Sequence, residues 1–271
     1  MSAYILCSGL LARHPLKIKE TGLLIYSAEE LSYYIYNSFY LIDESFISEE
    51  MFTFIEIELG LGESAQKLKK LWNENVSLGM MLTAILREYH YYTENELKTF
   101  VQKYDEYRHQ PPAVRKVRKA DFLLEKGHYL AAIQIYRQFN NVRRDPHMPE
   151  DFYMKIFQHM AVSLMHLGLM EEALEAFLAA YKEYKSPELL AQIYQFSCMT
   201  ELKLPSELYR EIKPQSESEW REGFNEVRDQ GALLASTGST AGMFTKDSVK
   251  RKEALSKHIE GIKKEYRAAI S

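Results

Sequence analysis

The stretch that decides the fold is Met154–Lys185, MKIFQHMAVSLMHLGLMEEALEAFLAAYKEYK. In its first half, Ile156, Phe157, Met160, Ala161, Leu164 and Leu167 recur at steps of three and four. That spacing is one face of a 3.6-residue period. Gly168 supplies the backbone freedom that a helix needs where it ends. Glu171 and Glu172 follow, and carboxylates are favoured at the positive end of a helix dipole. Ala173, Leu174, Phe177, Ala180, Tyr181 and Tyr184 then resume the period. The small residues let neighbouring helices approach, and Phe177 fills the space between them. The pattern predicts a helical hairpin, with Pro187 opening a further helix.

These residues resemble the tetratricopeptide repeat. That motif has a small residue in its first helix and Gly or a similar residue at the turn. Ala, an aromatic residue and Ala follow down its second helix, with Pro near the end. Ala161, Leu164, Gly168, Ala173, Phe177, Ala180 and Pro187 match in turn. The resemblance implies a short α-α superhelix, and it speaks to fold more than to activity, because the repeat serves many unrelated functions.

A looser copy precedes it. Ala120, Leu123, Gly127, Ala132, Tyr136 and Phe139 stand 41 residues before Ala161, Leu164, Gly168, Ala173, Phe177 and Ala180. The usual repeat has 34 residues, so about seven extra must be accommodated. The polar stretch 140–150, NNVRRDPHMPE, is the natural place. Phe139 at the usual Ala position departs from the pattern and predicts different local packing. A third, degenerate copy is expected from Pro187 to about Thr200, with another helix from Pro205 through Ile212.

Working outward, residues 1–110 read as a helical N-terminal domain. Ser27-x-x-Glu30 is a capping box for a helix Ala28–Ile42, whose buried face would be Leu31, Tyr34, Ile35, Ser38, Phe39 and Ile42. Residues 22–26 are a candidate extended segment. Ser48 starts a helix to Leu59, with Gly60 as its stop, and helices near 63–73 and 77–90 follow. Thr93-x-x-Glu96 caps a helix to about Arg108, and Pro111-Pro112 breaks the chain. The repeats then occupy 111–213. In 214–271, Trp220, Phe224, Val227, Gly231 and Leu234 share a step pattern with Leu255, Ile259, Ile262, Tyr266 and Ala269. A helical hairpin is expected there, with a flexible loop near 236–246, capping the last repeat. The alternative is a coiled coil that makes a homodimer through 215–271. The fold class is therefore all-α.

The net charge is −4, which argues against a nucleic-acid partner. Residues 1–110 hold 10 Lys and Arg against 16 Asp and Glu, a net −6. Two cysteines far apart, Cys7 and Cys198, suit a reducing compartment. The apolar run after Met1 lacks the basic flank of a signal peptide. No apolar stretch reaches the roughly 18 residues of a membrane span. A cytoplasmic setting without membrane contact is expected.

No catalytic constellation stands out. His159 and His166 are two turns apart, roughly 10 Å, too far for one tetrahedral zinc. Glu171, Glu172 and Glu175 fit a solvated helix start, and Glu56 and Glu58 a helix flank. Neither the 60–62 nor the 238–242 glycine pair follows a strand or ends in the Lys-Ser/Thr of a phosphate loop. No metal, cofactor or catalytic residue is expected. The basic residues Arg115, Lys116, Arg118 and Lys119, with Arg143 and Arg144, read either as solvated faces or as a site for acidic groups. Tyr33, Tyr34, Tyr36 and Tyr40 read as packing residues with hydroxyls at the rim, or as a partner surface.

The family resemblance places the first helix of each repeat on the concave surface. A partner-binding groove would then consist of Val117, Arg118, Asp121 and Leu124 with Gln158, His159, Val162 and Met165. Some members of that family clamp a terminal carboxylate with Lys and Asn. Asp121 and Val162 stand where that pattern has Asn, so no such clamp is expected. The sequence points to a non-enzymatic protein- or peptide-binding adaptor. The alternative is a peptide-responsive regulator in which the repeats control the N-terminal helices.

Overall fold

A computed structural model describes residues 11–140, 142–149, 151–200, 202–237, 249–253, 255–257 and 259–260, with the backbone alone over 231–237. The fold is all-α. It divides into two compact units, Met1–Ala180 and Tyr181–Ser271.

The first unit opens with a small antiparallel pair, β1 (Leu16–Lys17) and β2 (Leu24–Ile25), in which Leu16 faces Ile25. The extended segment is thus half of a hairpin. Helix α1 (Ala28–Ser38) is capped by the Ser27 side chain, which accepts from the Glu30 N–H at 3.1 Å. Glu30 reaches back one residue further than a standard box and accepts from the Tyr26 N–H at 2.6 Å. The helix ends four residues before the expected Ile42, because its last turn tightens into a 3₁₀ turn, Phe39–Leu41. The expected apolar face is buried, while Ser38 is half-buried.

Helix α2 (Glu49–Thr53) passes into a π-helical turn, Phe54–Glu58, before Gly60 ends it at φ +67°. The wide turn places the Glu58 carboxylate against the incoming chain. It accepts from the N–H groups of Arg13 and His14, each at 3.0 Å, and meets His14 Nδ1 at 2.8 Å. The bonds from the His14 backbone and side chain hold its carboxyl below the usual carboxylate range. Helices α3 (Gly62–Asn73), α4 (Leu78–Glu88) and α5 (Glu94–Arg108) complete this part. Both halves of the Thr93/Glu96 capping box form. Phe52, Ile55, Leu82, Ile85 and Phe100 form its centre.

Helix α6 (Pro112–Glu125) starts with a proline in its first turn, where the missing N–H costs nothing. It belongs to the same compact unit as α1–α5, so the expected boundary near residue 110 falls inside that unit. Phe122 packs on Tyr40 (5.6 Å between ring centres), and Lys119 approaches Glu20 at 3.8 Å. Helix α7 (Tyr129–Tyr136) packs on α6, and α8 (Phe152–His166) packs on both. Helix α9 (Met170–Tyr184) follows.

The two turns are built alike. Gly127 and Gly168 have φ +78° and +76°. His128 N–H bonds back to Leu123 O and Gly127 N–H to Leu124 O; Leu169 and Gly168 repeat this to Leu164 and Met165. Each is a Schellman cap, and every atom pair is displaced by 41 residues. Ala120, Ala132, Ala161, Ala173 and Ala180 are fully buried, as close helix approach requires.

In the second unit, α10 (Pro187–Thr200) and α11 (Ser206–Glu211) occupy the expected stretches. Helix α12 (Pro214–Thr237) lays its first half on α10. Trp220 packs against Tyr194 at 5.9 Å, and Arg221 Nε donates to the Tyr194 hydroxyl at 2.9 Å. The expected apolar stripe fares differently further on. Val227 is 70% exposed, and Leu255 and Ile259 are also exposed. An apolar stripe is buried only where a partner face meets it, and among the described residues α10 meets α12 at Glu217, Trp220 and Arg221. The burial of Gly231 and the Leu234 side chain, residues 238–246 of the expected loop, and Ile262, Tyr266 and Ala269 lie outside what is described, as does Cys7.

Candidate functional site

The eight groove residues come from α6 and α8, and the fold brings these helices together. At their seam, two donors converge on one carboxylate oxygen. The Tyr136 hydroxyl donates to Asp121 Oδ1 at 2.7 Å, and His159 Nδ1 lies 2.8 Å from the same atom. Tyr136 is fully buried, whereas the Asp121 and His159 side chains are 23% and 40% exposed. Burial, reinforced by the bond to Asp121, pushes the Tyr136 hydroxyl far above its ordinary value, so it remains a donor. Since an ionised carboxylate only accepts, His159 contributes its Nδ1 proton.

Within one turn of this contact, Leu124, Gln158 and Val162 are partly exposed and Arg118 is exposed; Met165, about two turns along α8 from His159, is also partly exposed. Val117 is buried and belongs to the packing beneath. Seven of the eight residues therefore reach the surface, and Asp121 and His159 touch each other. Tyr136 was absent from the expected set. Its place in the core alignment concealed its hydroxyl, although a tyrosine among buried positions signals a polar partner.

The Asp–His contact is half of an arrangement that activates a nucleophile. The other half needs a hydroxyl or thiol at Nε2, and among the described residues none stands there. Ser163 is buried, and its Oγ donates to the His159 carbonyl at 2.8 Å within the same helix. His166 takes a separate partner and stacks on Tyr129, with ring centres 4.4 Å apart. Among the described residues, no group of three or more His, Cys, Asp or Glu is placed to hold a metal ion.

The basic residues divide. Lys116 donates to Gln138 at 3.4 Å and Lys119 reaches Glu20, so both face their own chain. Arg144 lies over Tyr153 and Phe157, at 4.4 and 5.5 Å from the ring centres, and donates to the Phe139 carbonyl at 3.1 Å. Far from being a solvated loop residue, it fastens the long connection onto α8. Of the four tyrosines at 33, 34, 36 and 40, Tyr34 is buried, Tyr36 stacks on Tyr92, Tyr40 packs on Tyr107 and Tyr33 is exposed.

No family model matches this chain, and neither does a curated protein or a solved structure. Among the described residues, no helix is long and apolar enough to cross a membrane.

Proposed function

We propose that this chain is a non-enzymatic cytoplasmic adaptor that binds a protein or peptide along the face shared by α6 and α8. The observation that carries this reading is the Asp121–His159 contact. It joins the first helices of two successive hairpins edge to edge, with Arg118, Leu124, Gln158, Val162 and Met165 around it. Stacked helical hairpins present surfaces of this kind to extended ligands. The mix of one cation, amide and apolar side chains suits a peptide with alternating polar and apolar residues.

A panel of immobilised peptides tests this. Peptides retained by the full chain are expected to be lost on combining Arg118→Glu with Met165→Asp, and kept by Tyr209→Ala, an exposed position in the other unit. Retention unchanged by the double substitution, with thermal stability preserved, would rule this face out.

One observation favours the regulatory variant of the same reading. Helix α6 carries Arg118 and Leu124 on one side, and Phe122 and Lys119 against Tyr40 and Glu20 on another. A ligand that shifts α6 therefore acts on the turn Phe39–Leu41. Altered hydrogen exchange at that turn on peptide binding is the expected sign; no change counts against regulation. Exposed Val227 on α12 supports a homodimer through 215–271, which sedimentation at two concentrations tests.

A further inference from the structure

A second surface lies in the first unit, away from α6 and α8. Helices α4 and α5 run antiparallel, so that Gly79 meets Tyr104 at one end and Arg87 meets Glu94 at the other. Between them and α3 is a cleft of about 500 Å³, and a smaller one of about 260 Å³ adjoins it. The two share Thr83, Arg87 and Val101, so they form one groove. Along α5 it runs from Leu97 to Arg108, roughly 16 Å at the rise of a helix. That length matches about three turns of a bound helix.

The floor is apolar and close-packed. A Cβ on Gly79 would stand 2.7 Å from the Tyr104 ring, so only glycine lets that ring lie against α4. The Tyr104 hydroxyl is buried and, among the described residues, has no hydrogen-bond partner. Met80, 63% exposed, and Val101, 37% exposed, stand bare in the groove. Bare apolar side chains in a concave track mark interaction sites more than scattered ones do.

The rim has the opposite charge from its surroundings. Residues 1–110 carry 16 acidic groups, but among the described residues Asp105 is the sole acid lining the groove, against Arg87, Lys98 and Arg108. Arg87 and Arg108 each make one long, solvent-exposed pair, to Glu94 at 3.4 Å and Glu44 at 3.3 Å. Such pairs are weak and yield to a better-placed carboxylate. We infer that the α4–α5 groove is a docking site for an acidic amphipathic helix of a partner protein, with apolar side chains on Met80 and Val101 and carboxylates at Arg87, Lys98 and Arg108. This is the helix-in-groove mode, read through anchors at i, i+3/i+4 and i+7.

The test uses the full chain and a labelled 14-residue peptide with Leu at those anchor positions and Glu on its other faces. Fluorescence anisotropy should show binding in the micromolar range. A peptide with Lys in place of every Glu should bind at least tenfold more weakly. Arg87→Glu with Arg108→Glu should reverse that preference, and Met80→Glu should weaken the Glu peptide at least tenfold. These positions are exposed enough to leave folding intact, which the thermal midpoint checks. Equal binding of the two peptides, no binding of the Glu peptide at 100 µM (about 5.5 kcal/mol), or indifference to Met80→Glu would overturn the proposal. So would a dimer that dissociates on Met80→Glu, since a second copy would then be the occupant. Arg118→Glu with Met165→Asp should leave this binding unchanged, which separates it from the α6–α8 face.

Discussion

The two hairpins α6–α7 and α8–α9 share their turn and differ at their ends. Both turns use a glycine with positive φ and the same pair of back-bonds, and both bury an alanine on each side. Their second helices then diverge. Helix α9 continues through Ala180 to Tyr184, whereas α7 stops at Tyr136 and tightens into a 3₁₀ turn, Arg137–Phe139. The divergence coincides with Phe139 standing where the second hairpin has Ala180. A ring at that position needs room that a methyl does not, and Arg144 then caps the shortened helix through the Phe139 carbonyl. Conserving a turn and varying an end shows which part of such a hairpin is set locally and which by its neighbours.

The largest test removes the aromatic residue at equivalent positions. Tyr136→Ala and Phe177→Ala should each cost about 3–5 kcal/mol in urea unfolding. The first should lie at the upper end, because it also strips a donor from Asp121. Tyr136→Phe makes the two hairpins chemically alike there. It should cost about 1.5–3 kcal/mol, the worth of a hydrogen bond to a charged group. A neutral outcome would show that solvent already serves Asp121. Arg144→Ala should cost about 1–2 kcal/mol through the lost ring contacts and carbonyl bond, and should speed amide exchange at 137–139 while leaving α9 unchanged. Gly127→Ala and Gly168→Ala should each cost about 1 kcal/mol for the left-handed backbone alone. Nothing crowds a Cβ at Gly168, and only the Tyr129 ring end lies near Gly127, at 3.8 Å, so unequal losses would break the equivalence of the turns.

The smallest effect is on pH. Asp151, at the start of α8, is held below the usual aspartate value by Lys155. Its folded pKa is depressed, so its contribution is present above about pH 4 and fades as pH falls through the folded value. The amide protection factor in the first turn of α8, which removes the intrinsic pH dependence of exchange, should therefore fall between pH 5 and pH 3. The first turn of α6, which begins at Pro112, has no such acid and should not respond.

Much of this fold was legible in the residues. The helical periods, the Ser27, Ser48 and Thr93 caps, both glycine turns and the 41-residue displacement all rest on chemistry within a few residues. Boundaries were harder where a helix changes its winding. Neither the π turn at Phe54–Glu58 nor the 3₁₀ turn after α1 leaves a periodic mark, since each depends on what the turn packs against. The candidate surfaces were legible in part. The spacing on α6 and α8 selected residues that do meet, but it counted Val117 as accessible when a neighbour buries it. The α4–α5 groove was not visible at all, because Met80 and Val101 look like ordinary helix residues until α4 and α5 are laid side by side.

What the chain determined by itself is the sequence of helices and the way each starts and stops, because caps, propensities and left-handed glycines act over one turn. Only the tertiary structure decided which polar groups pair and which apolar ones stay bare. Tyr136, Asp121 and His159 come from three helices and meet on one oxygen. Arg144 leaves a polar loop for two rings on α8. Trp220 is met by Tyr194, while Val227, on the same stripe, is met by nothing described. Pairing and burial are properties of two surfaces at once, and a linear pattern specifies one surface at a time.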